Sequence, residues 1–244
     1  MSKELVEILI GDKYDREAVL FPTLLTLCLI LFGMWNIVQC YVFELSAISS
    51  LNVVWLLCAI CFVVTIRFLM FIVRTVSKMT IESCYYGKDR LHYPSVSMLM
   101  PSSTVLSIDF KKVILLKIEK DFGIKIPIYY RKNKKEENFR QSVAEAIGLV
   151  RRKVYSQQES EIYRLKNIRY GRCRNMIGGC FVSLLINILA LLYCFANEYT
   201  YLLPLISIVA TMILGIYSMY MYPKAANEYA KELFNNYLNL SDND

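Results

Sequence analysis

The chain has 244 residues, 56% of them hydrophobic and 20% charged, with a mean hydropathy of +0.37 and a formal net charge of +7. A soluble domain is about 45–50% apolar and about 25% charged, so composition argues against a simple water-soluble enzyme. It also excludes disorder, which needs a low apolar fraction.

Met1–Glu17 carries five acids against three bases. Two uncharged runs follow, Ala18–Phe43 with 26 residues and Leu45–Ile66 with 22. A helix rises about 1.5 Å per residue, so crossing a hydrocarbon core of about 30 Å takes about 20 apolar residues. Backbone polar groups cannot go unpaired in lipid, so each run is expected to be helical. The first run reads as a retained helix: the segment before it is acidic, and the run is too long for the apolar part of a signal peptide. Asn36 and Gln39 fall near its outer end, where they can meet water. Arg67, near the inner end of the second run, has a stem long enough to snorkel to the headgroups.

The next segment, Arg74–Arg174, holds 22 of the 28 bases and 10 of the 21 acids, a net of +12, so the rest of the chain sums to −5. Within it, Tyr85–Pro101 reads as irregular or short-stranded, because Pro94 and Pro101 oppose a continuous helix. Ser107–Phe122 reads as a helix with Ser107 as N-cap, Gly123 as its end, and a stripe of Phe110, Val113, Ile114, Ile118 and Phe122. Asn138–Tyr155 reads as a second helix, with Phe139, Val143, Ile147, Val150 and Val154 on one face. Ser160–Arg169 reads as a third, leading toward the membrane through Gly171. The bases cluster at Arg131, Lys132, Lys134 and Lys135, and again at Arg151, Arg152 and Lys153. Tyr129 and Tyr130 beside the first cluster give it the look of a single-strand nucleic-acid patch. Anionic lipid, a cytoplasmic protein partner, or plain positive-inside bias fits better, and nucleic acid or a nucleotide messenger is not favoured.

Two more uncharged runs close the pattern, Asn175–Asn197 with 23 residues and Tyr199–Pro223 with 25. Neither short connection, Glu44–Ser50 or the one around Glu198, contains Lys or Arg. By the positive-inside rule both face outward, and both termini and the basic segment are cytoplasmic. Trp35, Tyr41, Trp55, Tyr199 and Tyr201 then fall toward the outer interface, and Tyr217, Tyr220 and Tyr222 toward the inner one. The expected fold is all-α: two transmembrane hairpins, Ala18–Val73 and Asn175–Pro223, with a small, mostly helical cytoplasmic domain, Arg74–Arg174, between them. Lys224–Asp244 is the cytoplasmic C-terminus.

The third run carries Gly179, Ser183 and Asn187 at steps of four, and the fourth carries Ser207, Thr211 and Gly215. Such spacing puts each trio on one helix face, where small residues permit close approach and hydroxyls and amides bond across helices. Intramolecular packing is the plain expectation, with a pore lining or an oligomer contact as the alternative. No run holds an acid or a histidine, which weighs against a proton-coupled transporter.

Cys58 and Cys61 form a C-x-x-C near mid-membrane, but the outer connections offer no partner cysteines, so packing outranks redox chemistry. Cys84 and Cys173 are cytoplasmic and expected reduced. With one histidine, His92, no zinc site is expected. No phosphate loop, nucleophile elbow or paired-acid constellation appears, so no catalytic, cofactor or metal residues are expected and the chain reads as a non-enzyme.

Three stretches resemble a bacterial family of four-span membrane proteins. They are Asp12-Lys13-Tyr14-Asp15-Arg16 running into Phe21-Pro22; Lys117-Ile118-Glu119-Lys120-Asp121-Phe122-Gly123-Ile124; and Tyr170-Gly171-Arg172-Cys173-Arg174-Asn175 followed by Ile177-Gly178-Gly179. The resemblance implies the same four-span layout, assigns no catalytic residues, and links the chain to anti-phage defence modules. Physically, Tyr170 and Arg174 suit an aromatic anchor and a snorkelling base at the lipid boundary, and Asn175 a helix cap. Gly171, Gly178 and Gly179 allow a bend or a close helix contact. The same motif could serve as a coupling joint through which the basic segment moves the third span. Together these features point to an oligomeric effector of the bacterial inner membrane, with a scaffold for a cytoplasmic partner or a small channel or transporter as alternatives.

Overall fold

The computed structural model describes residues 12–39, 52–87, 91–127, 136–157 and 160–240, without the side chains of 52–60. The described residues are helical with no strand among them. They divide into two compact units: Met1–Ile81 with Gly171–Tyr222, and Glu82–Tyr170 with Pro223–Asp244.

The first unit holds the apolar helices. Helix α1, Asp15–Gly33, opens with one wide π-helical stretch, Asp15–Leu20, then runs regularly from Phe21. The Asp12 carboxylate accepts the Asp15 N–H at 2.8 Å and caps this entry. Pro22 follows the wide stretch directly, where it removes one N–H from the helical ladder. Residues 35–39 are helical too. Helix α2, Asn52–Val76, ends in a second wide turn, Ser77–Ile81. To this unit α7, Glu161–Ala196, contributes its residues from Gly171 onward, and α8, Leu202–Asn239, its residues up to Tyr222. Among the described residues, three helices, α1, α7 and α8, are long and apolar enough to cross a membrane. The turn between α7 and α8 places Glu198 in the left-handed region (φ 58°), with the Tyr199 N–H on the Cys194 carbonyl at 2.9 Å.

The second unit begins with two short helices, α3 (Glu82–Tyr86) and α4 (Pro94–Leu99). The expected irregular or stranded stretch is thus helical on either side of 87–93. Pro94 starts α4 at a position that needs no N–H donor, so the two helices stay separate, as the prolines require, but the stretch is not stranded. Helix α5, Ile108–Phe122, is capped as its sequence demands: Ser107 Oγ accepts the Phe110 N–H, and Gly123 closes the helix at φ 67°. Its buried face differs from the expected stripe. Lys111, Ile114, Leu115 and Ile118 are buried, whereas Val113 is exposed and Phe110 only half-buried. The face turns because Lys111 Nζ is drawn inward by two carbonyls, Met100 O at 2.8 Å and Ser103 O at 2.5 Å. Helix α6, Glu136–Gln157, buries all five residues of its expected stripe and Ala146 besides. Each such side chain removed from water contributes about 1.5–3 kcal/mol. Glu161–Tyr170 of α7 and Pro223–Asn239 of α8 complete the unit, with Leu233, Phe234 and Tyr237 fully buried.

The stretch 160–169 is therefore not a separate third helix. It is the first part of α7, which runs without a break through Gly171, Gly178 and Gly179. Asn175 lies mid-helix and caps nothing.

Candidate functional site

The first unit concentrates its polar side chains in one internal seam. Ser183, Asn187, Ser207 and Thr211 are all buried. Ser183 and Thr211 hydroxyls meet at 3.3 Å, joining α7 to α8. Asn187 Nδ2 donates to Ser183 O at 2.9 Å and to Ser183 Oγ at 3.2 Å. Ser207 Oγ donates to Leu29 O at 2.6 Å and ties α8 to α1. Gly215 faces Cys180: a Cβ built there would stand 3.5 Å from Cys180 Cβ. Both expected trios thus face protein. Such bonds contribute about 0.6 kcal/mol each on average inside a membrane, so the seam is many weak ties.

Helix α1 supplies partners that the spacing argument did not find. Thr23 and Thr26 are buried, their hydroxyls bonded to carbonyls of their own helix. Gly33 is overlaid by the Asn187 amide, so closely that a Cβ there would collide with Asn187 Oδ1 and Cγ. That Oδ1 is buried with no hydrogen-bond partner. Leaving such an acceptor unmade costs about 1–3 kcal/mol.

The glycines of the Tyr170–Gly179 motif serve close approach and not bending. A Cβ on Gly171 would strike the Tyr14 ring, one on Gly178 would strike Ser77 Oγ and come within 3.0 Å of the Val73 carbonyl, and one on Gly179 would lie 2.8 Å from Thr26 Cγ2. Asn175 Nδ2 donates to Ala18 O at 2.7 Å, so the residue expected to cap a helix instead pins α7 to α1. Asn175 Oδ1 is a second buried acceptor without a hydrogen bond. Arg174 is buried, where a snorkelling base would be exposed. Nearby pairs neutralise charge one to one: Arg172 with Glu17 at 3.3 Å and Arg74 with Asp15 at 3.2 Å.

In the second unit the polar centre is Glu82, a buried carboxylate that accepts the Tyr93 hydroxyl in a short bond and the Tyr170 hydroxyl at 3.1 Å. Tyr170 stacks on Tyr229 with ring centroids 5.4 Å apart, and the Tyr163 and Tyr229 hydroxyls meet at 3.0 Å. The Arg151 guanidinium lies over the Tyr93 ring at 5.5 Å and the Tyr229 ring at 5.9 Å, and bonds Ser95 Oγ at 3.0 Å. Tyr170 is therefore a member of a buried network, its hydroxyl engaged by Glu82.

A second knot forms around Asp121. Lys153 Nζ lies 2.8 Å from its carboxylate, and Tyr237 Oη donates to it at 2.7 Å. Burial opposes ionisation here, but the Lys153 and Tyr237 hydrogen bonds and the charges of Lys153 and Lys117 outweigh it, so the Asp121 carboxyl titrates below its ordinary range. Burial lowers the Lys111 ammonium from its ordinary value. Of the second basic cluster, Arg151 and Lys153 are thus engaged internally, and Arg152 alone is exposed. Arg131, Lys132, Lys134 and Lys135 lie outside the described residues.

Among the described residues no three His, Cys, Asp or Glu side chains gather as a metal site requires. Cys61 is exposed on α2, and the Cys58 side chain lies outside the described ones. Comparison with protein families, curated proteins and solved structures gives no match. The functional weight therefore rests on this chain's own two polar arrangements. Hydroxyls and amides in the seam hold helices or meet water, and the carboxylate–tyrosine network of the second unit holds shape through charge-assisted bonds. The sequence hid Glu82 and Asp121 because their partners lie far along the chain, without local spacing to mark them.

Proposed function

We propose that the chain is a multi-pass protein of the bacterial inner membrane, without enzymatic activity, that acts as an oligomeric, signal-gated membrane effector of an antiviral defence system. Helix α2, 25 residues long, is the fourth span, and the spans form two hairpins with both termini in the cytoplasm. The seam of Asn187, Ser183, Ser207 and Thr211 is the closed state of the path, and a cytoplasmic signal separates α1 from α7 and α8.

One observation carries this reading. Helices α7 and α8, 36 and 38 residues long, each supply both an apolar stretch of the first unit and network residues of the second. A tether would use a flexible linker instead. Tyr163 and Tyr170 on α7, and Tyr229 on α8, belong to the same unbroken helices as the seam residues. Two buried acceptors without hydrogen bonds, on Asn175 and Asn187, favour a seam that gains bonds to water on opening.

A membrane-potential dye in cells expressing the protein with its genomic partners tests this. Depolarisation on infection is the expected result. The competing reading is a scaffold, favoured by the exposed Ile108, Val113 and Leu116 on α5. An unchanged potential, with a soluble protein co-purifying in equal amount, would replace the effector by the scaffold.

A further inference from the structure

The second unit contains a charge arrangement unlike the paired ions of the first. Glu228 is shared by Lys166 Nζ at 2.8 Å and Arg169 Nη1 at 3.0 Å. The exposed Lys224, one turn earlier on α8, adds its field to the same carboxylate. The Lys166 hydrogen bond first, then the charges of Arg169, Lys166 and Lys224, hold Glu228 below the ordinary carboxylate range against burial, so it stays ionised. Three bases thus converge on one acid and leave a surplus of two positive charges. Arg169 and Lys166 keep 42% and 34% of their side chains open to solvent, so the surplus is accessible.

The place matters as much as the charge. Lys224 follows Pro223, where the last uncharged run ends, and Glu228 is five residues beyond Pro223. At about 1.5 Å per residue that is about 7.5 Å along the helix. Arg169 precedes Asn175, the start of the third run, by six residues, or about 9 Å on the same rise. A headgroup layer extends roughly 5–8 Å beyond the hydrocarbon on each face. Lys224, Glu228 and Arg169 thus bracket that layer, and Lys166, nine residues before Asn175 and so about 13.5 Å from it on the same rise, approaches from its aqueous side. The charge there is fixed by a carboxylate that orders two of the bases, which sets it apart from a run of free surface lysines. Basic pockets at this depth on the cytoplasmic side suit lipid headgroups.

We propose that Lys166, Arg169 and Lys224, ordered by Glu228, form a binding site for the headgroup of an anionic phospholipid in the inner leaflet. The proposal rests on the orientation given above. An impermeant maleimide on the exposed Cys84 of intact and of opened cells fixes that orientation first: labelling only after opening places this unit in the cytoplasm.

The full chain is then placed in nanodiscs of equal phosphatidylglycerol and phosphatidylcholine, and retained lipid is read by native mass spectrometry. The wild type is expected to retain phosphatidylglycerol in preference. Each base near an anionic surface is worth about fivefold, so the Lys166→Gln/Arg169→Gln/Lys224→Gln variant should lose that preference by tenfold or more. Lys224→Gln alone, at an exposed position that does not threaten folding, should lose part of it. A Lys112→Gln/Lys125→Gln control removes charge elsewhere in the unit and should keep it. Equal retention by the triple variant and the control overturns the site. Inorganic phosphate at millimolar concentration that displaces the retained lipid overturns the lipid assignment in favour of a soluble phosphate ligand.

Discussion

The two units of this chain solve the same problem, holding helices together, with opposite chemistry. In the first, apart from the ion pairs of Asp15 and Glu17, the contacts are small and neutral: Gly33 under Asn187, Gly178 against Ser77, Ser183 on Thr211. In the second, they are charged and aromatic: Glu82 between two tyrosines, Asp121 between Lys153 and Tyr237, Arg151 over two rings. With the first unit in the membrane, as proposed, lipid explains the difference. An unpaired charge inside a bilayer is costly, and lipid tails give helices no hydrophobic reason to associate, so close backbone approach and weak hydrogen bonds do the joining. In water, apolar burial supplies the main stabilisation and buried ion networks set the geometry. The first unit should therefore fail by steric insult and the second by unpaired charge.

The largest effect is expected from Gly178→Leu. Its side chain would meet the Val73 backbone as well as the Ser77 hydroxyl, and backbone cannot step aside. Overpacking of this kind costs about 3 kcal/mol, read as lost thermal stability in detergent. A well-folded variant of unchanged stability would show that α7 and α2 do not pack as described. Next comes Glu82→Ala, which leaves the Tyr93 and Tyr170 hydroxyls without their carboxylate acceptor and should cost about 1–3 kcal/mol. A neutral outcome would break the contrast from the other side.

Asn187→Ala should cost much less, about 1 kcal/mol or below, because the Nδ2 bonds are weak and the Oδ1 makes none. A loss of several kcal/mol would make the seam as strong as the charged network. The smallest effect concerns pH. The Asp121 carboxyl is lowered on folding, so its stabilisation is complete at neutral pH, where both states are ionised, and fades as pH falls below the ordinary carboxylate range. Acid unfolding of Asp121→Asn should differ from wild type at neutral pH, with the gap closing at low pH. A gap that widened on acidification would reverse the sign.

How much of this was legible in the sequence follows the same divide. The seam residues declare themselves by steps of four along one helix, and Ser107, Gly123 and the α6 stripe mark their own helix, because their causes are local. The buried face of α5 was misread since Lys111 turns inward toward carbonyls supplied by Met100 and Ser103, which no periodicity records. Tyr170 reads as an interface anchor and Asn175 as a helix cap because their partners, Glu82 and Ala18, lie 88 and 157 residues away. Local rules find faces and ends; they do not find which distant group a buried polar atom meets.

The closed seam is the central claim, and a reversible lock tests it most directly. A Cβ built on Gly179 lies 3.3 Å from Thr26 Cβ, close to the separation that a disulfide spans. In a background freed of native cysteines, Thr26→Cys/Gly179→Cys would staple α1 to α7. Potassium flux from proteoliposomes, with the activating partner present, should be absent in the oxidised protein and return on reduction. Equal flux from the oxidised and reduced protein would contradict the account, because the path would then open without parting the seam.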